Sequence, residues 1–191
     1  MKILIIFAHN RPNSLTGQIK GSFEKGLKEG GHQTDTLDLH KIGWKPVLYE
    51  EDEPDYSSRG NQHFSEEVKR EQERLLNYDA IAFVFPTYWW NMPAILKGYI
   101  DRVFNYEYAY GTNRKLSDKV KKLLWVTLMG TTPTTKYEKC HEVMDYLYNV
   151  GIGELCDIND SRVVKFVDIK NPTQEETKEY FDRAYSEGLT F

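Results

Sequence analysis

The sequence predicts an α/β protein: an open, doubly wound sandwich of three layers on a five-stranded parallel sheet. Three observations carry this. Continuous apolar runs at 2–8, 79–85 and 121–128 read as strands buried on both faces, as parallel sheets require. Amphipathic helical patterns separate them, so strand and helix alternate. Crossovers between parallel strands are right-handed, so five such units wind onto both faces of one sheet. At 191 residues the chain is expected to form one domain, 1–191, with a core large enough to fold alone.

Each element has its own warrant. The run from Lys2 to Ala8 is rich in β-branched residues and short, which favours a buried first strand over a signal peptide; His9, Asn10 and Arg11 end it too early for one. Asn13 or Ser14 can cap the next helix, whose apolar face is Leu15, Ile19, Phe23 and Leu27 and which ends near Gly30 and Gly31. Residues 33–39 form a short strand. A long irregular stretch follows, 40–63, with an acidic run at 50–55; linkers of this length are usually functional or interfacial. Residues 65–77 read as a polar amphipathic helix, and 79–85 (DAIAFVF) as a strand. Pro93 suits the first position of a helix over 93–104. A strand at 121–128 precedes a helix over 136–150, with Val143, Tyr146, Leu147 and Val150 expected on its inner side. A fifth strand lies within 152–169, and a closing helix spans 173–187.

Composition narrows the function. The chain is 40% hydrophobic and 28% charged, with a net charge of −4, which disfavours nucleic acid or an anionic membrane as partner. No apolar run approaches the ~20 residues of a membrane-spanning helix. Cys140 and Cys156 have no metal-ligand spacing, so no metal site, reduced thiols and a cytoplasmic home are expected.

Ligands of doubly wound sheets sit beyond the carboxyl ends of the strands. Three loops therefore matter. The first, AHNRPNS, lacks both G-x-G-x-x-G and the Walker pattern, but it leads into a helix N-terminus with Asn13, Ser14 and Thr16. That suits a phosphate, or a plain helix cap. The second lies between Pro86 and Pro93 and carries Tyr88, Trp89 and Trp90. Flat side chains in a stiff loop suit a heteroaromatic ring; a satellite cluster or a subunit interface would use them too. The third, MGTTPTTKY, offers Gly130 for close backbone approach and four threonines, or is a solvated turn.

Taken together, the three loops resemble the NAD(P)H:quinone oxidoreductase family, the DT-diaphorase-like flavoproteins of flavodoxin-like fold. The most specific match is FP-x-x-W-W-x-x-PA-x-LKG-x-x-DRVF at 85–104; EQERLLNYDAIAFVFP resembles its lead-in, and similarity in order and spacing covers about 1–150. Where the family has paired glycines, this chain has Gly130 followed by Thr131. The resemblance implies a flavin, FMN or FAD. His9, Ser14, Leu15 and Thr16 would surround its phosphate and ribityl chain. Pro86, Thr87, Tyr88, Trp89 and Trp90 would line the ring, partly through backbone N–H groups, and Thr127, Leu128, Met129 and Gly130 its other edge. Tyr137, and with a different spacing His141, would face the substrate and donate a proton or hydrogen bond. It also implies NAD(P)H as hydride donor, transfer by way of flavin N5 to a quinone-like acceptor in ping-pong fashion, and a homodimer with sites near the interface, on which the 40–63 stretch would rest. The rival readings are a flavodoxin-type electron carrier and a non-catalytic regulatory subunit. Asp101 fits a pair with Lys97 on its own helix surface.

Overall fold

The computed structural model describes residues 1–57, 62–134 and 136–191. Residues 58–61 of the long irregular stretch and Thr135 of the third loop lie outside the described residues. Strands β1 (Lys2–Phe7), β2 (Gln33–Asp38), β3 (Ala80–Pro86), β4 (Lys122–Leu128) and β5 (Asp160–Phe166) form one parallel sheet in the order β2-β1-β3-β4-β5. Alternation along each strand sends its side chains to two cores. Ile3, Ile5 and Phe7 of β1 and Ala80, Ala82 and Val84 of β3 meet α1 (Leu15–Glu29) and α6 (Gln174–Leu189). Leu4, Ile6, Ile81, Phe83 and Phe85 face the opposite way, onto α2 (Glu66–Leu75), α3 (Ala94–Val103) and α5 (Glu138–Tyr146). A four-residue α4 (Leu116–Lys119) precedes β4.

The helix caps are local chemistry. The Ser14 hydroxyl accepts from the Gly17 N–H at 3.2 Å and starts α1, and Thr173 and Glu176 form a reciprocal capping box on α6. Pro93 stands one residue before α3, as its N-cap with ψ 151°, rather than as its first helical residue.

The expected inner face of the helix after β4 is corrected. Val143, Tyr146 and Leu147 are exposed and Val150 is half-buried; the inner side of α5 and its continuation is His141, Met144 and Tyr148. His141, Met144 and Tyr148 fall at i, i+3 and i+7, a single α-helical stripe turned to the sheet, where Tyr148 stacks on Trp125 at 4.9 Å, and the predicted residues lie on the other side of the helix. A π-helical segment, Leu147–Glu154, follows α5.

Part of the long irregular stretch, at Trp44, Lys45, Pro46 and Asp52, is anchored to its own chain. Arg102 of α3 is 1% exposed and Asp52 fully buried. The Arg102 guanidinium pairs with Asp52 and Glu67, each at 2.8 Å, donates to the Lys45 carbonyl at 2.6 Å and lies over the Trp44 ring. Pro46 crosses α3 so closely that a Cβ on Gly98 would come within 2.0 Å of the Pro46 carbonyl oxygen. Ile42, Val47, Leu48, Tyr49 and Tyr56 of the same stretch nevertheless stay exposed.

Candidate functional site

β1 and β3 are neighbours from which the chain departs in opposite directions, so the crevice opens between the loops that follow them. In the first loop, His9 is buried and stacks on Phe7. Its Nδ1 accepts the Arg11 backbone N–H at 3.0 Å. Burial, then the nearby Arg11 and His40, hold its pKa below the ordinary value, so the ring is neutral at neutral pH. A neutral ring that accepts at Nδ1 carries its proton on Nε2, leaving an N–H donor for a ligand. Thr16, the second residue of α1, is buried, and Leu15 packs at the edge of the core beneath α1. The backbone N–H groups of Leu15 and Thr16 have no hydrogen-bond partner among the described residues.

The second loop has an unusual backbone. Tyr88 and Asn91 exchange N–H···O=C bonds of 2.9 and 3.0 Å, closing a two-residue hairpin whose central residues are Trp89 and Trp90. Both have positive φ, 51° and 63°. Such turns normally take Asn or Gly there, because a Cβ is crowded in that conformation. Trp89 is moreover 98% exposed. The turn leaves the Trp89 and Trp90 N–H groups without an acceptor among the described residues. Asn91 ties the turn down: its Oδ1 accepts the Met92 N–H at 2.8 Å and the Tyr148 hydroxyl at 3.4 Å.

Trp90 folds back toward the third loop. Its ring lies 5.6 Å from that of Tyr137 and edge-on to His141 at 5.3 Å, so the two residues expected to face the substrate meet at one aromatic wall. Tyr137 precedes α5 as its N-cap residue and is half-buried. His141 is buried, its Nε2 has no hydrogen-bond partner among the described residues, and burial followed by the charge of Lys165 keeps its pKa low.

The remaining expected residues divide. Pro86 ends β3 within the sheet. The Thr87 and Thr127 hydroxyls bond each other across β3 and β4, and the Thr87 N–H donates to the Leu128 carbonyl. Thr127 and Leu128 are buried, with Leu128 in the core under α1 and α6. Met129 and Gly130 line a cavity of about 250 Å³ with Thr87, Trp89, Trp90, Thr131 and Tyr137. On the other side of the turn, a cavity of about 440 Å³ is bounded by His9, Tyr88 and Ile95. Sequence reasoning missed Lys170, which also lines the smaller cavity and lies in the β5–α6 connection, where no periodicity marks it. Asp101 pairs with Lys97 on the surface of α3, as its spacing suggested.

The donor set fits a flavin: unpartnered N–H groups at a helix N-terminus, a second pair on a rigid turn, and flat walls beside them. His9, Ser14 and Thr16 would hold the phosphate end, and Thr87, Trp89, Trp90, Met129 and Gly130 would flank the ring.

Comparison with known proteins agrees with this fold. Residues 1–189 match the family model described as flavodoxin-like fold. The chain is 37% identical over 151 residues to the NAD(P)H oxidoreductase YcaK of Escherichia coli, covering 78% of this chain and 76% of that one. It is 30% identical over 123 residues to the mouse ribosyldihydronicotinamide dehydrogenase [quinone], covering 57% of this chain and 53% of that protein, about half its length. Among solved structures, the NAD(P)H:quinone oxidoreductase from Methanothermobacter marburgensis superposes with a TM-score of 0.86 at 27% identity, covering 100% of this chain and 96% of that one. The chain belongs to the flavodoxin-like-fold family, among its NAD(P)H oxidoreductases and quinone reductases.

Proposed function

We propose that this chain is a flavin-dependent NAD(P)H:quinone oxidoreductase acting as a single flavin-binding domain. The observation that carries the reading is the meeting of Trp90, Tyr137 and His141 beside the unpartnered N–H groups of the Trp89–Trp90 turn. A flavin, FMN or FAD, supplies two-electron hydride relay between a dihydronicotinamide and a quinone-like acceptor. The protein's part is binding, orientation and electrostatics. The turn's N–H groups are fixed before any ligand arrives, so they stabilise negative charge on a ring edge without reorganising. Trp90 and Tyr137 give a flat substrate a wall. Tyr137 Oη donates a hydrogen bond or proton to the acceptor oxygen. His141 is neutral and buried behind Trp90, so it orients that wall.

Assembly as a homodimer is part of the proposal. Its support is the outer face of α5 and the following segment, where Val143, Tyr146, Leu147 and Leu155 are exposed together. A cytoplasmic location is supported by the two unbridged cysteines, of which Cys156 is buried with its thiol pushed up to about 12.

The test is direct. Purified protein is expected to bind flavin near one per chain, quenching its fluorescence, and then to oxidise NAD(P)H with a quinone. Protein that takes up neither FMN nor FAD overturns the proposal. In Tyr137→Phe, flavin content should hold while reoxidation by quinone slows more than reduction by NAD(P)H. The fall should be at or below the low end of the ~10²–10⁴-fold typical of proton donation, because water reaches an open site. Light scattering at micromolar concentration should give the mass of two chains.

A further inference from the structure

From Leu123 onward strand β4 is apolar but for Thr127, which is fully buried. A hydroxyl in such a place needs a hydrogen-bond partner. Among the described residues its side chain has one, the hydroxyl of Thr87, the residue after β3. Which oxygen donates follows from what each order leaves unmet. If Thr87 donated, the Thr127 proton would stand in the core without an acceptor, the unfavourable arrangement. If Thr127 donates, nothing is stranded in the core, and the Thr87 proton is left over. Thr87 is half-buried and lines the cavity of about 250 Å³ between the second and third loops, so its proton is available there. The other bonded pair of hydroxyls among the described residues, Tyr56 and Tyr110, fixes no such order, because Tyr56 is exposed and water can serve either oxygen. Accepting from Thr127 polarises the Thr87 hydroxyl and makes it a better donor. The other polar side chains that line this cavity, Thr131, Tyr137, Lys170 and the two indoles, also carry donors, and no carboxylate is among them.

We propose that the Thr87 side chain donates a hydrogen bond to the flavin ring, and that Thr127 is a positioning residue that sets the direction of that donation from inside the core. The inference rests on the flavin-binding reading above and adds a side-chain donor to the backbone donors of the Trp89–Trp90 turn. A wall made of donors favours the ring when it holds more electrons, because the added negative charge meets dipoles that are already in place. Thr87 thus tilts the protein toward the reduced flavin, and Thr127 does so through it.

The experiment measures two dissociation constants, with FMN and then with FAD as the probe. Fluorescence quenching gives the constant for the oxidised flavin, and the midpoint potential of the bound flavin, from an anaerobic titration, gives that for the reduced one. Thr87→Val keeps the branched shape and removes the hydroxyl. Because it strands the Thr127 hydroxyl, it is made alone and together with Thr127→Val, which leaves no hydroxyl in the pair. The expected result is a loss of affinity of about twofold for the oxidised flavin and about tenfold for the reduced one, the scale of one hydrogen bond, so that the potential falls. The double variant should show the same shift in potential and recover urea stability lost in Thr87→Val. Thr87→Ser, which keeps the hydroxyl, should return both constants toward native values. Thr127→Val alone should shift the potential less than Thr87→Val, since Thr87 keeps its proton and loses only its fixed direction. Native constants in Thr87→Val and in the double variant, or equal losses for oxidised and reduced flavin, overturn the inference: the pair then only joins β3 to β4, and the flavin reading stands. If the native protein takes up neither FMN nor FAD, that reading itself fails.

Discussion

The two ends of one short stretch, 85–104, are built on opposite principles. At its carboxyl end, Arg102 is sealed inside the protein, and its donors are met by Asp52, Glu67 and the Lys45 carbonyl. At its amino end, Trp89 and Trp90 hold a left-handed backbone, one ring lies in water, and two N–H groups lack acceptors. The same run of residues therefore carries a binding turn before α3 and a structural clamp in the last turn of α3. Internal satisfaction marks the part that stabilises the fold. Unmet hydrogen-bonding capacity, held in place against its own preference, marks the part that waits for a ligand.

The strongest way to break this comparison is Arg102→Met. It strands Asp52 as a buried carboxylate without its cation, which should cost about 3–5 kcal/mol. Urea unfolding would show it, and the protein that remains folded should still bind flavin with near-native affinity. Selective loss of flavin binding without loss of stability would place the clamp in the functional half. Pairing it with Asp52→Asn should recover part of the deficit.

Trp89→Gly should move the two properties in opposite directions. Glycine relieves the left-handed conformation, worth roughly 1–2 kcal/mol per residue, less the entropy that glycine adds to the unfolded chain. A modestly higher urea midpoint together with weaker flavin binding is the expected pair of results. A lower midpoint would mean that the exposed indole packs after all.

The smallest effect is on pH dependence. His9, His32 and His141 all have lowered pKa values, with burial the first cause in each. The unfolded chain then binds protons that the folded chain resists, so stability falls as pH drops through about 6.5 and levels off below the folded values. Replacing His9 and His141 with Asn should flatten the urea midpoint between pH 7.5 and 5.5. An unchanged slope would show that those two rings do not differ in protonation between the folded and unfolded states. Arg102 does not titrate in this range, so the two halves also differ in what acid can reach.

How far this was legible in the sequence follows from the same physics. Strands buried on both faces announce themselves, and β1, β3 and β4 were readable at nearly their observed bounds. β5 was not, because among its residues only Val164 and Phe166 are buried and, Val163 apart, polar residues fill the rest of this edge strand. The helix after β4 was placed but its face was misread: an apolar spacing says which residues share a side, not whether that side meets the core. In the candidate site, Trp90, Tyr137 and His141 were named from the resemblance and lie together. The left-handed turn was invisible, since tryptophan gives no local signal for positive φ. Lys170 was invisible because its stem crosses the backbone of Gly130, forty residues away.

The exposure of Trp89 has an optical consequence. Trp44 and Trp125 are buried and Trp90 is partly covered, so one indole of four meets bulk water. Its emission should sit to the red of the other three and be the component that iodide quenches. Whatever covers the turn, a flat ligand or a second chain, should shield that component first. The unmodified protein therefore carries its own reporter at the place where occupancy matters.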